Sequence, residues 1–218
     1  MPGLSGVAKP MHLRFYYDIV CPYAYLASRR VEALAARTGA EIEWCPVLLG
    51  GLFRNHSTAD VPAASYAQAK AMVGAADLIH EAKCVDAPFV SNPRHPQRSV
   101  TVMRLLTAAE GAERVALTHA LYTAYWVDNL DINDPSVIGP LAETHGIALD
   151  RAQEHAIKDA LRVQTKDASD RGVFGVPTFE VDGKIWWGQD RMHLVEEALG
   201  GSPRYLPEGQ AKPGAVID

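Results

Sequence analysis

Cysteine is scarce in this chain: three residues in 218, Cys21, Cys45 and Cys84. No two of them form a C-x-x-C pair, and none stands at zinc-ligand spacing from a histidine. That excludes a two-cysteine exchange motif and a zinc module, and no metal site is expected. Long apolar runs are also missing; none reaches the roughly 18 residues that a membrane-spanning helix needs. There is no long basic run and the net charge is −5, which argues against nucleic acid as a partner. The opening residues, MPGLSGVAKPM, lack the apolar centre of a secretory signal. Together with an odd number of cysteines, this predicts free thiols in a reducing, cytoplasmic setting.

What the chain has is an organising stretch near its start, Leu13 to Leu26, LRFYYDIVCPYAYL. Leu13 to Tyr17 is aromatic and aliphatic and reads as a short strand. It turns through Asp18, Ile19 and Val20 into Cys21-Pro22. From Ala24 to Arg37 apolar residues recur at helical spacing, at Leu26, Ala27, Val31, Leu34 and Ala35. Thr38-Gly39 supplies the stop, since glycine accepts the left-handed conformation after a helix. Proline is favoured at the first helical position, which puts Cys21 at or beside the N-cap. A sulfur there meets unpaired N–H groups and the positive end of the helix dipole, and both favour a thiolate. Cys21 is therefore expected to be the catalytic residue. Cys45, in front of Pro46, reads as a small buried side chain.

Further along, Glu41 to Val47 reads as a second strand, parallel to the first. Leu48 to Asn55 reads as a glycine-bearing loop. From Pro62 the pattern turns helical: Ala63 to Lys83, then, after a proline-punctuated loop, Ser99 to Gly111 and Glu113 to Asn129. Asp134-Pro135 opens a helix ending near Gly146. Asp150 and Gln153 make a capping-box pattern for a long helix to Arg171. A run of helices with no convincing strand predicts an all-α insertion in a smaller α/β domain. Strand character returns at Val173 to Asp182. Asp182-Gly183 is a hairpin turn signal, and Ile185 to Trp187 is the return strand. Asp190 is placed as N-cap of a last helix, Arg191 to Leu199.

Two stretches carry a resemblance. FYYDIVCPYAYLA, from Phe15, and VFGVPTFEVDGKIWWGQDRM, Val173 to Met192, resemble the 2-hydroxychromene-2-carboxylate isomerases and kappa-class glutathione transferases of the DsbA-like thioredoxin superfamily. The resemblance implies an α/β fold in which a thioredoxin-like domain, residues 13–55 and 172–201, carries a helical insertion, residues 56–171. Residues 1–12 and 202–218 are then terminal arms. It implies a cis Val176–Pro177 bond facing Cys21, and glutathione as cofactor. Val176 and Pro177 would pair with the tripeptide, and Trp187, Gly188, Gln189, Asp190 and Arg191 would hold its γ-glutamyl end. Tyr23, Arg54 and Thr58 are the implied substrate contacts. Arg54 matches a basic family position, whereas Thr58 stands where the family usually has Asn. The substrate is expected to be a small aromatic α,β-unsaturated carboxylate, and the protein a homodimer.

Ala24 occupies the place of a resolving cysteine, so an internal disulfide by this motif is not expected. The activity implied is a glutathione-dependent cis-trans isomerisation by reversible thiol addition. Two other readings stay open: a kappa-type transferase or single-cysteine thiol-disulfide oxidoreductase, and a non-catalytic binding protein. Most isomerases of this type carry Ser at the position of Cys21. Either Cys21 donates its S–H to a glutathione thiolate, or it is itself the nucleophile.

Overall fold

In a computed structural model of the chain, residues 11–58 and 67–202 are described. The expected arms at residues 1–12 and 202–218 therefore lie outside the described residues, apart from Met11, His12 and Ser202. Four strands form one sheet: β1 (His12–Tyr17), β2 (Glu41–Pro46), β3 (Thr178–Val181) and β4 (Lys184–Trp187), in the order β2-β1-β3-β4. β1 pairs in parallel with β2, Phe15 opposite Trp44, and antiparallel with β3, Phe15 opposite Phe179. β3 and β4 form a hairpin through Asp182 and Gly183, both at positive φ, as a two-residue turn requires.

The strand period of two sorts β1 cleanly. Leu13, Phe15 and Tyr17 are fully buried on one face, where Phe15 stacks on Phe179 and Tyr17 and meets Trp44 edge-on. Arg14 and Tyr16 point the other way and converge on the buried Glu180. The Tyr16 hydroxyl donates to Glu180 at 2.6 Å, and Arg14 and Arg171 each donate at 3.2 Å.

Helix α1 (Pro22–Thr38) starts on proline and stops at Gly39, φ +69. It buries Leu26, Ala27, Val31 and Leu34. Helix α2 (Leu49–Asn55) occupies the stretch expected to be a loop. Gly51 explains the misreading: a Cβ there would lie 2.9 Å from Thr165 Cγ2, so this glycine lets α2 lie close against another helix. Between α2 and β3 follow α3 (Gln68–Cys84), α4 (Val100–Ala108), α5 (Gly111–Trp126), α6 (Pro135–Thr144) and α7 (His155–Asp170). Asp134 caps α6, accepting from the Ser136 N–H at 2.8 Å. Asp150 and Gln153 do not form a capping box. Leu149–Gln153 is a separate 3-10 turn, and α7 begins after it, with Glu154 as its N-cap.

The last helix, α8 (Met192–Ala198), is preceded by a 3-10 turn, Gln189–Arg191. Asp190 lies in that turn and does not cap α8. Its carboxylate takes a hydrogen bond from Arg191 at 2.7 Å instead. Insertion and sheet share one continuous apolar core, which takes in Phe15, Leu26, Leu106, Tyr122 and Val195. Among the described residues no helix is long and apolar enough to cross a membrane.

Candidate active site

The carboxyl end of β1 runs into Asp18, Ile19 and Val20 and then into Cys21, the N-cap of α1. The turn is held from the insertion. The Trp126 indole N–H donates to the Ile19 carbonyl at 2.9 Å, and the Tyr122 hydroxyl donates to that of Asp18 at 3.4 Å. The Cys21 N–H closes the turn onto the Asp18 carbonyl at 3.1 Å.

Cys21 is buried, and its sulfur stands beside the first N–H groups of α1, those of Ala24 and Tyr23. The thiol donates to the Val176 carbonyl at 3.1 Å. Val176 precedes Pro177 through a cis bond. The two resembling stretches thus meet at the thiol. Their edge is pinned on both sides, by Gly188 N–H to the Pro177 carbonyl at 2.9 Å and by the Thr178 hydroxyl to the Gly175 carbonyl at 2.7 Å.

The expectation of a thiolate is corrected by this burial. Desolvation pushes the Cys21 thiol up to about 12; the N–H groups of Ala24 and Tyr23 oppose it, and the Asp18 charge adds to it. A helix N-terminus lowers a thiol where water also reaches it. Here the low-dielectric surroundings outweigh the helix end and favour the neutral S–H.

Asp18 is the second buried acid of the turn. It accepts from Leu49 N–H at 2.9 Å, from the Ser99 hydroxyl at 3.0 Å and from Val20 N–H at 3.3 Å. Burial raises it to about 6, against the pull of those donors. One carboxylate so joins the end of β1, the start of α2 and the start of α4. The contact with Ser99 had no local signal in sequence.

Around this edge three aromatic side chains stand in solvent: Tyr23 (40% exposed), Phe174 (43%) and Trp187 (54%). Phe174 and Trp187 lie with ring centroids 5.1 Å apart. The Trp187 ring covers Gly175, where a Cβ would come within 3.0 Å of its Nε1. Phe174 is the member that sequence reading missed; an aromatic beside the Gly-Val-Pro step was the available signal. Gly188 has φ +106, and a Cβ on it would run into the Asp190 carboxylate. Gln189 is buried and its amide bridges Arg30 at 2.8 Å and Glu81 at 2.9 Å, tying the turn to α1 and α3.

Arg54 and Thr58 are exposed at and beyond the end of α2. Arg54 lines a groove between α2 and α7 to which Cys21, Val176 and Pro177 do not contribute. Cys45 is buried, and burial raises its thiol; Cys84 is exposed, 3.5 Å from His80. All three cysteines are free. Among the described residues no group of His, Cys, Asp or Glu could hold a metal ion.

A fit test for a peptide ligand rests on Val176. Its carbonyl accepts only the Cys21 thiol, and its N–H donates to no described group. One donor and one acceptor on the segment leading into β3 are what an added peptide backbone needs.

The model of the DSBA-like thioredoxin domain family matches residues 12–200. A 2-hydroxychromene-2-carboxylate isomerase of Sphingobium xenophagum is 30% identical over 195 residues, covering 85% of this chain and 96% of the relative. Glutathione S-transferase kappa 1 of Homo sapiens is 24% identical over 208 residues, covering 88% and 92%. Among solved structures, a 2-hydroxychromene-2-carboxylate isomerase superposes with a TM-score of 0.74 at 22% identity, over 87% of this chain and 95% of that one.

Proposed function

This chain belongs to the DSBA-like thioredoxin domain family, in the branch of the 2-hydroxychromene-2-carboxylate isomerases and kappa-class glutathione transferases, and we propose that it is a glutathione-dependent cis-trans isomerase of a small aromatic α,β-unsaturated carboxylate. The observation that carries the reading is the Cys21 thiol 3.1 Å from the carbonyl of the half-paired Val176.

Glutathione, when bound, supplies a thiolate that adds reversibly to the substrate double bond, so that rotation about the resulting single bond precedes elimination. The chain's part is to bind, orient and hold protons in place. Val176 would pair its N–H and C=O with the tripeptide backbone, Pro177 would shape that edge, and Cys21 would offer its S–H to the ligand sulfur in place of the Val176 carbonyl. A hydrogen bond to an anion is stronger than one to a neutral carbonyl, so this swap favours the ligand thiolate. The proton stays on Cys21 Sγ, which suits a group held near 12. Cys21 then does what the family's usual serine would do. Asp190 and Arg191 offer opposite charges to the ammonium and carboxylate of the γ-glutamyl end, on a turn shaped by Trp187, Gly188 and Gln189. Tyr23, two residues from Cys21, would face the substrate, whereas Arg54 lines the separate groove between α2 and α7 and Thr58 lies just beyond α2. The reading carries a homodimer, as the resemblance implies, in the reducing, cytoplasmic setting expected from the free cysteines.

The test follows the ultraviolet spectrum of a chromene carboxylate with and without glutathione. The expected result is turnover only with glutathione, largely kept in Cys21→Ser and reduced roughly a hundredfold in Cys21→Ala, as when a transition-state donor is removed. Full activity without glutathione, abolished in Cys21→Ser, would make Cys21 the nucleophile and overturn this route.

A further inference from the structure

We propose that the groove between α2 and α7 binds a small soluble anion carrying at least two clustered negative groups. The groove is open to solvent and has a volume of about 740 Å³, room for a small molecule. It is strongly positive on a chain whose net charge is −5: five Lys or Arg line it against two Asp.

Those two acids are already taken. Asp159 pairs with Arg162 at 3.4 Å and lies 3.5 Å from His155, and Asp170 pairs with Lys166. That leaves Arg54, Arg104 and Lys158, whose charged groups have neither an ion-pair nor a hydrogen-bond partner among the described residues. They come from three elements, α2, α4 and α7, which tertiary packing alone brings to one groove. Arg104 and Lys158 are half-buried, so their like charges are less screened than on open surface. An unneutralised trio of this kind is favourable only toward an anion. Two guanidinium forks and an ammonium suit phosphate or carboxylate oxygens. Leu48, Gly51 and Leu161 supply an apolar floor.

Cys21, Val176 and Pro177 are absent from the lining, so this site stands or falls separately from the isomerase reading. The test is calorimetric titration of the full chain with pyrophosphate and, in a second arm, citrate, at fixed ionic strength; the arms separate phosphate from carboxylate ligands. The expected result is saturable one-site binding of at least one probe. Arg104→Gln/Lys158→Gln should weaken it roughly tenfold or more, since charged hydrogen bonds are lost. Lys83→Gln/Lys184→Gln, which removes the same charge from exposed positions elsewhere, should leave it unchanged. Hydrogen exchange of the unmutated chain provides a readout that does not depend on any variant folding: the probe should slow residues 51–55 and 155–170. No saturable binding, equal binding by the groove variant, or protection confined to other segments would overturn the proposal.

Discussion

The Cys21 sulfur lies 3.1 Å from the Val176 carbonyl oxygen across 155 residues of sequence. That single contact joins the head of α1 to the edge before β3. Burial at this contact favours the protonated thiol.

Alkylation should reflect that state. At pH 7 iodoacetamide is expected to modify exposed Cys84 quickly and Cys21 slowly, with Cys21 reaching the rate of Cys84 only in denaturant. Peptide mapping over time measures this. Preferential labelling of Cys21 in the native protein would contradict a buried neutral thiol. The linkage has a sign: the folded-state value of Cys21 is raised above the ordinary thiol value of about 9. Its contribution to stability is therefore full below pH 9 and is lost as pH climbs toward 12.

Asp18 gives a second pH dependence. Its folded value, about 6, lies above the ordinary 3.8, so the folded state holds the proton more tightly. Stability from this group is full below pH 4, falls as pH rises through 6, and is flat beyond. Denaturant titrations from pH 4 to 7 should show that fall, up to about 3 kcal/mol, in the native chain and not in Asp18→Asn. Parallel curves for the two proteins would remove Asp18 as the cause.

The close approach of α2 to α7 predicts a coupled pair. Gly51→Ala would set a Cβ 2.9 Å from Thr165 Cγ2 and should cost about 1–2 kcal/mol as overpacking. Thr165→Ser removes that methyl while keeping the hydroxyl that accepts from Leu48 N–H at 3.1 Å. The double variant should recover at least about 0.5 kcal/mol of the loss. Strict additivity would show that α2 simply moves aside.

Arg191 separates binding from chemistry at the proposed glutathione end. Arg191→Ala, which also frees Asp190 from its 2.7 Å hydrogen bond, should raise KM for glutathione about tenfold with kcat little changed. A fall in kcat at unchanged KM would move Arg191 out of the binding role.

Several features were legible without coordinates because their causes are local. Pro22 and Gly39 bound α1 through first-turn and left-handed backbone preferences, and Asp182-Gly183 closes the β3–β4 hairpin by the same kind of rule. The alternation of β1, and the strand-free run that becomes α3 to α7, are likewise carried by neighbouring residues. What escaped depended on distant ones. Helix α2 is short and glycine-rich, and it stands because Gly51 fits against Thr165, more than a hundred positions later. Asp150 and Gln153 form a separate 3-10 turn, and Asp190 turns to Arg191 instead of capping α8.

The chain by itself determined that a lone cysteine would head a helix and that a proline-led strand would close the fold, since propensity, capping and turn chemistry act over a few residues. Only the tertiary structure decided that burial works against a Cys21 thiolate, that Ser99 and Leu49 converge on Asp18, and that Arg54, Arg104 and Lys158 share one groove. Burial and charge proximity are properties of the packed molecule, and no local pattern encodes them.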